Sequence, residues 1–179
     1  MKVVKDTKES KKVENRIIAG LASEDEAVVI KTISYARQNA EGRHLGILIQ
    51  LLRETKNENI SNEIIALLND LKDQGAMEPM MDAVLDDANI DIRVFLLQAI
   101  WNSRLDAVDF LEPLVNLAIK SDFVTCLECL TIIENFENAP SDEAISAVNT
   151  IIKDALMDNS ENKELLMSMM EVLNDYMIG

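Results

Sequence analysis

Two cysteines stand three residues apart in Cys126-Leu127-Glu128-Cys129. That spacing suits a redox dithiol where a helix N-terminus lowers one thiol pKa, or half a zinc site where a second pair exists. Here no second pair exists, and the motif lies within a helical pattern with no strand before it. The expectation is two small semi-buried side chains and no metal. Asp87-Ala88-Asn89-Ile90-Asp91 begins like a calcium loop, but its sixth position is Ile92 and its twelfth is Gln98. A calcium loop needs Gly and Glu there, so the segment reads as a turn with a capping Asn or Asp. The single histidine, His44, follows Arg43 at a helix start, where a solvated side chain is expected. No nucleophile–base set and no glycine-rich phosphate loop occurs, so neither catalytic nor cofactor-binding residues are assigned.

The remaining candidates are residues that grip a partner. Trp101 is the only tryptophan, and Phe95, Gln98 and Trp101 fall near one face of a helix with Val94 beside them. Such a face would offer an apolar anchor to a peptide or helix. The structural alternative is that both rings pack between neighbouring helices. Asparagines recur at Asn39, Asn69, Asn102, Asn135 and Asn174. An amide offers one donor and one acceptor, which matches a peptide unit, so Asn69, Asn102 and Asn135 are candidate partner contacts. Helix termination by Asn explains their positions as well.

These residues must be held by helices. Met77, Met80, Met81, Val84 and Leu85 form one apolar stripe, and Ile92, Leu96, Ala99 and Ile100 form a second after an acidic turn. Neither helix buries its stripe alone, and the pair recurs. First helices align at Val13, Leu45, Met77, Leu111 and Ile145, spaced 32, 32, 34 and 34. Second helices align at Val29, Ile60, Ile92, Phe123 and Leu165, spaced 31, 32, 31 and 42, the last gap reflecting a longer first helix in the fifth pair. Counting from these, the ninth residue on is Gln38, Asn69, Trp101, Ile132 or Asn174. Trp101 therefore sits in a mostly polar column, as Phe95 does with Thr32, Glu63, Cys126 and Ser168 three residues on. Further expectations are a frayed basic lead-in over 1–12 and one repeat domain over 13–179. A Ser23-x-x-Glu26 capping box should start a helix near Glu24, Glu41-Gly42 should punctuate the next unit, and turns should span Thr55–Asn59 and Asp158–Ser160.

Composition narrows the function. The chain has 179 residues, 48% of them hydrophobic, with 5 Gly and 3 Pro, which suits an all-α protein with one sizeable core. Net charge is −15, and the lysine-rich first twelve residues carry +3, leaving −18 on the rest. Such a surface repels phosphate backbones, so nucleic acid is excluded as a partner and a basic protein or peptide suits it. No apolar segment is long enough to span a bilayer, and no apolar run follows the N-terminal lysines. Two cysteines do not make a secreted disulfide scaffold, so a cytoplasmic setting is expected.

Proline near a helix start in Glu78-Pro79 and Glu112-Pro113, an Asp/Asn-rich turn, and Ile92-Arg93 make the chain resemble short bacterial HEAT repeats from about residue 13 on. Only the third and fourth units carry the proline and only the third the arginine; the tetratricopeptide W-x-x-L-G-x-x-Y pattern is absent. The resemblance implies a right-handed α-α superhelix of about five antiparallel helix pairs, a solenoid that holds partners on a curved face lined by the second helices. It implies a non-enzymatic scaffold; a regulatory or accessory subunit, or a lyase- or chaperone-like HEAT protein, are alternatives. The His-Glu iron pairs of the hydroxylase branch have no counterpart beside a lone His44, and the basic groove of the glycosylase branch has the wrong charge. The last helix, with Leu165, Leu166, Met169, Met170, Val172, Leu173, Tyr176 and Met177, reads as too apolar for a terminal cap, which suggests self-association there.

Overall fold

Ile17, Leu21, Val29, Ile33, Leu48, Leu52, Ile64 and Leu67 are all buried in one cluster, so the 3.6-residue spacing turns one face of each helix inward. The computed structural model describes residues 8–39, 42–158 and 161–178. Among them the chain forms ten α-helices and no strand: α1 Lys8–Leu21, α2 Glu26–Asn39, α3 Leu45–Glu54, α4 Glu58–Asn69, α5 Met77–Leu85, α6 Arg93–Ser103, α7 Leu111–Lys120, α8 Phe123–Glu134, α9 Asp142–Met157 and α10 Lys163–Ile178. Each odd helix packs on the even helix that follows it. The even helices also pack in file, α2 on α4, α4 on α6, α6 on α8 and α8 on α10.

Polar bonds between residues 31 to 43 positions apart tie this file together. Glu26, at the start of α2, accepts from Asn57 and Asn59 at the start of α4, both at 2.8 Å. At the other end Arg37 of α2 pairs with Asp70 beyond α4, so the two helices run parallel. Farther on, Asn162 donates to the Ser121 carbonyl at 2.8 Å ahead of α8, and the Tyr176 hydroxyl donates to the Ile133 carbonyl at 3.0 Å near its end. Helices α8 and α10 are therefore parallel too. Between them in the file, Gln74 exchanges bonds with the Asp106 backbone, and Asp106 accepts from Asn138.

Local chemistry explains the boundaries. Asn57, Asp122 and Ser141 cap α4, α8 and α9 with their side-chain oxygens. Pro79 and Pro113 sit in the first turns of α5 and α7, where no intrahelical N–H bond is lost. Arg93 is buried: its Nε donates to the Val84 carbonyl at 2.8 Å and its Nη2 to Asp87 at 3.0 Å, which satisfies the end of α5. A Cβ on Gly42 would lie 2.6 Å from the Gly75 carbonyl oxygen, so the turns leading into α3 and α5 touch.

Several expectations change. Helix α2 starts at Glu26 and not Glu24: Ser23 Oγ accepts from Asp25 N, and Asp25 Oδ1 from Ala27 N, in place of the reciprocal box. α1 begins at Lys8, so Lys8–Lys12 are helical, while residues 1–7 lie outside the described residues. Glu41, Asn159 and Ser160 also lie outside them. The Thr55–Asn59 turn is shorter because α4 already begins at Glu58. Leu85 is exposed at the end of α5, and His44 is buried where the short 3-10 turn Gly42–His44 meets α3.

Candidate partner-binding face

The spacing of α8 predicts Phe123, Leu127 and Leu130 inward, and of these only Leu130 is buried. Phe123 and Leu127 are exposed, while Cys126, Cys129, Leu130 and Ile133 form the inward stripe and Thr125, Glu128 and Ile132 are buried beside it. α8 packs against α6, α7 and α10, so three neighbours cover most of its circumference. Only a narrow arc meets solvent, and bulky apolar residues fill it. The residues equivalent to Val29, Ile60 and Ile92 are therefore Asp122 and Asn162, not Phe123 and Leu165. In this register the ninth residue on is Gln38, Asn69, Trp101, Thr131 or Glu171. Trp101 is the one apolar member of an otherwise polar column.

The same correction applies to α10. Leu166, Met169 and Leu173 are buried, and Leu165, Met170, Val172 and Tyr176 are half-buried against neighbouring helices. Its exposed residues are Lys163, Glu164, Met167, Glu171, Asn174, Asp175, Met177 and Ile178, so the apolar ones are Met167 and the pair that ends the helix.

Trp101 is half-buried, and its Nε1 donates to Glu128 Oε2 at 2.9 Å. Gln98 Nε2 donates to the other oxygen of Glu128 at 2.8 Å. A buried carboxylate on α8 thus takes both polar groups of the α6 face, an acceptor that periodicity alone did not single out. These bonds also align the helices. One turn back from Gln98 lies Phe95, and one turn back from Glu128 lies Val124. Exposed apolar residues therefore stand on three helices packed in file: Phe95 of α6 is 43% exposed, Phe123, Val124 and Leu127 of α8 are 59%, 47% and 39%, and Met167 of α10 is 48%. Val94 is half-buried beside Phe95.

The asparagines are differently engaged. Asn39, Asn102 and Asn135 each donate from Nδ2 to the carbonyl four residues back, at 2.9, 2.9 and 2.8 Å. One N–H of each amide is thus spent within its own helix, which ties these asparagines to helix ends. Asn174 accepts from Asn149 at 3.0 Å. Asn69 Oδ1 is buried without a hydrogen-bond partner. Between the ends of α6 and α8, Trp101, Asn102, Arg104, Leu105, Ile132, Asn135 and Glu137 line a groove of about 470 Å³. Arg104 ends α6 with φ 59°, a left-handed conformation unfavourable to any residue with a Cβ.

The thiols carry no reactive chemistry in this setting. Burial alone pushes Cys126 up to about 11, and burial first, then the neighbouring Cys126 and Glu128, pushes Cys129 higher. Both stay protonated at neutral pH and pack as apolar groups. In the acidic turn Asn89 is buried, donating to the Ala83 carbonyl at 2.9 Å and accepting from Arg53 at 3.3 Å. That is a structural turn, with Arg93 on Asp87. No helix among the described residues is long and apolar enough to cross a membrane. No protein-family model matches this chain, and no curated protein matches it in sequence.

Proposed function

We propose that this chain is a non-enzymatic protein-interaction module, a right-handed HEAT-like solenoid of five helix pairs that works in the cytoplasm and seats a partner peptide or helix on the face of its even helices. The file α2–α4–α6–α8–α10 and the bonds recurring between residues 30 to 41 apart support the solenoid. The apolar strip of Phe95, Phe123, Val124, Leu127 and Met167 carries the binding reading. Five large apolar side chains exposed on three neighbouring helices are costly in water unless something covers them. An accessory subunit is the same reading with an enzyme as the partner.

Photo-crosslinking from position 123 in cells, beside Phe123→Ser/Leu127→Ser and an Ile90→Ser control, tests it. A discrete adduct that the double substitution removes and the control keeps is the expected result. Absence of any adduct, together with turnover of a small molecule by the purified protein, would sink the module in favour of an enzyme.

A further inference from the structure

Inside the even file a helix has an even neighbour on both flanks, whereas α2 and α10 each have one on a single flank among the described residues. Side-chain bonds show which flank is left over. In α10, Val172 and Tyr176 turn towards α8: both line a recess with Glu134, and the Tyr176 hydroxyl donates to the Ile133 carbonyl. Two residues of helix are a rotation of about 200°, so Met170 and Asn174 lie on the opposite flank, and Met177 and Ile178 follow within a turn. Met177 is 44% exposed and Ile178 84%. In α2, Glu26 and Arg37 turn towards α4, bonded to Asn57, Asn59 and Asp70. By the same rotation Val28 and Tyr35 lie on the flank away from α4; Val28 is 42% exposed, and Arg16 of α1 stacks over the Tyr35 ring at 3.8 Å. The two ends also differ in charge. Residues 1–39 hold eight Lys and Arg against six Asp and Glu, and residues 140–179 hold two Lys against eight Asp and Glu. Exposed Arg16 and Lys31 stand by the α2 flank, and exposed Glu171 lies one turn from Asn174.

We infer that the outer flank of α10 receives the outer flank of α2 from a second copy of this chain, so that copies associate head to tail. Within one copy this flank of every earlier even helix is covered by the next even helix, and α2 of a second copy continues the file. Methionine side chains adapt to such a contact because the thioether arm is flexible. Opposite net charges favour the first pair against the last over two like ends together. The contact joins two different patches, so no twofold axis closes it and further copies can add. It stands apart from the partner strip and does not use Phe95, Phe123, Val124 or Leu127.

Sedimentation velocity of the full chain over a wide range of concentration tests this. The average mass is expected to rise with concentration beyond that of a dimer, and to fall back when salt screens the charged ends. Glu171→Lys/Met177→Lys at one end, and Val28→Asp/Lys31→Asp at the other, should each leave a monomer. An equal mixture of the two should associate again, since each variant keeps the end that the other has lost. Unchanged thermal unfolding of both variants separates lost association from lost folding. A wild type that stays monomeric at the highest concentration overturns the inference. So does association that survives in either variant alone, which marks contact between like ends. Crosslinking from position 123 reports on the module separately, because neither variant alters the strip.

Discussion

Helices α4 and α8 occupy equivalent places in the even file and treat water in opposite ways. α4 buries Ile60, Ile64, Leu67 and Leu68 and shows solvent Glu58, Asn59 and Asn62. α8 buries Thr125, Cys126, Glu128 and Cys129 while Phe123, Val124 and Leu127 stay outside. Large apolar groups are therefore not simply sorted inward. α8 also buries Leu130, Ile132 and Ile133, so its contrast with α4 lies in its first turns, where Thr125 and Cys126 face inward and the larger side chains stand outside. The bulk left outside adds nothing to the core, and the contrast separates residues that hold the fold from residues free to serve a partner.

The sharpest check is in α4. Ile64 is fully buried, and Ile64→Ala should cost about 2–5 kcal/mol, read as a lower urea midpoint at unchanged slope. A cost near zero would mean that α4 does not anchor the core. In α8 the equivalent weight lies on a polar group. Glu128→Ala leaves the Trp101 and Gln98 donors without their acceptor and should cost roughly 1–3 kcal/mol, with Glu128→Gln milder for Trp101 because an acceptor remains.

Asp122 comes next. Its carboxylate accepts from the Thr125 backbone N–H at 2.8 Å, and this bond first of all holds its pKa below the ordinary value. Asp122→Ala should cost about 1 kcal/mol at neutral pH. Because the folded pKa is depressed, that contribution is present above the unfolded carboxyl pKa and fades as pH falls through the folded one. Unfolding curves of wild type and variant should converge in acid; a gap that persists there would assign the effect to packing. The smallest effect belongs to the strip. Phe123→Ser/Leu127→Ser should change stability by no more than about 0.5 kcal/mol per site, and a much larger loss would show that these residues belong to the core.

Much of the helical frame was legible in the sequence. Leu45, Leu48, Ile49 and Leu52 in α3, and Leu111, Leu114, Val115 and Ala118 in α7, are buried as their spacing predicts. Those helices are amphipathic, so only one phase hides their apolar residues. α6, α8 and α10 are apolar around most of their circumference, and several phases hide some stripe equally well. The alignment puts Phe123 and Leu165 at the first inward positions, whereas packing buries Cys126 and Leu166. For the candidate face, the sequence marked Phe95, Gln98 and Trp101 as neighbours in unusual company. It was silent on Glu128, which reads as one glutamate among many until a second helix brings it under the indole.

Helicity, the number of helices and the acidity of the surface follow from residue type and spacing, because those properties are set within a few turns of chain. Which arc of an all-round apolar helix meets water, and which carboxylate takes the Trp101 and Gln98 donors, were decided by tertiary packing. Each depends on atoms of other helices, and no local pattern carries that information.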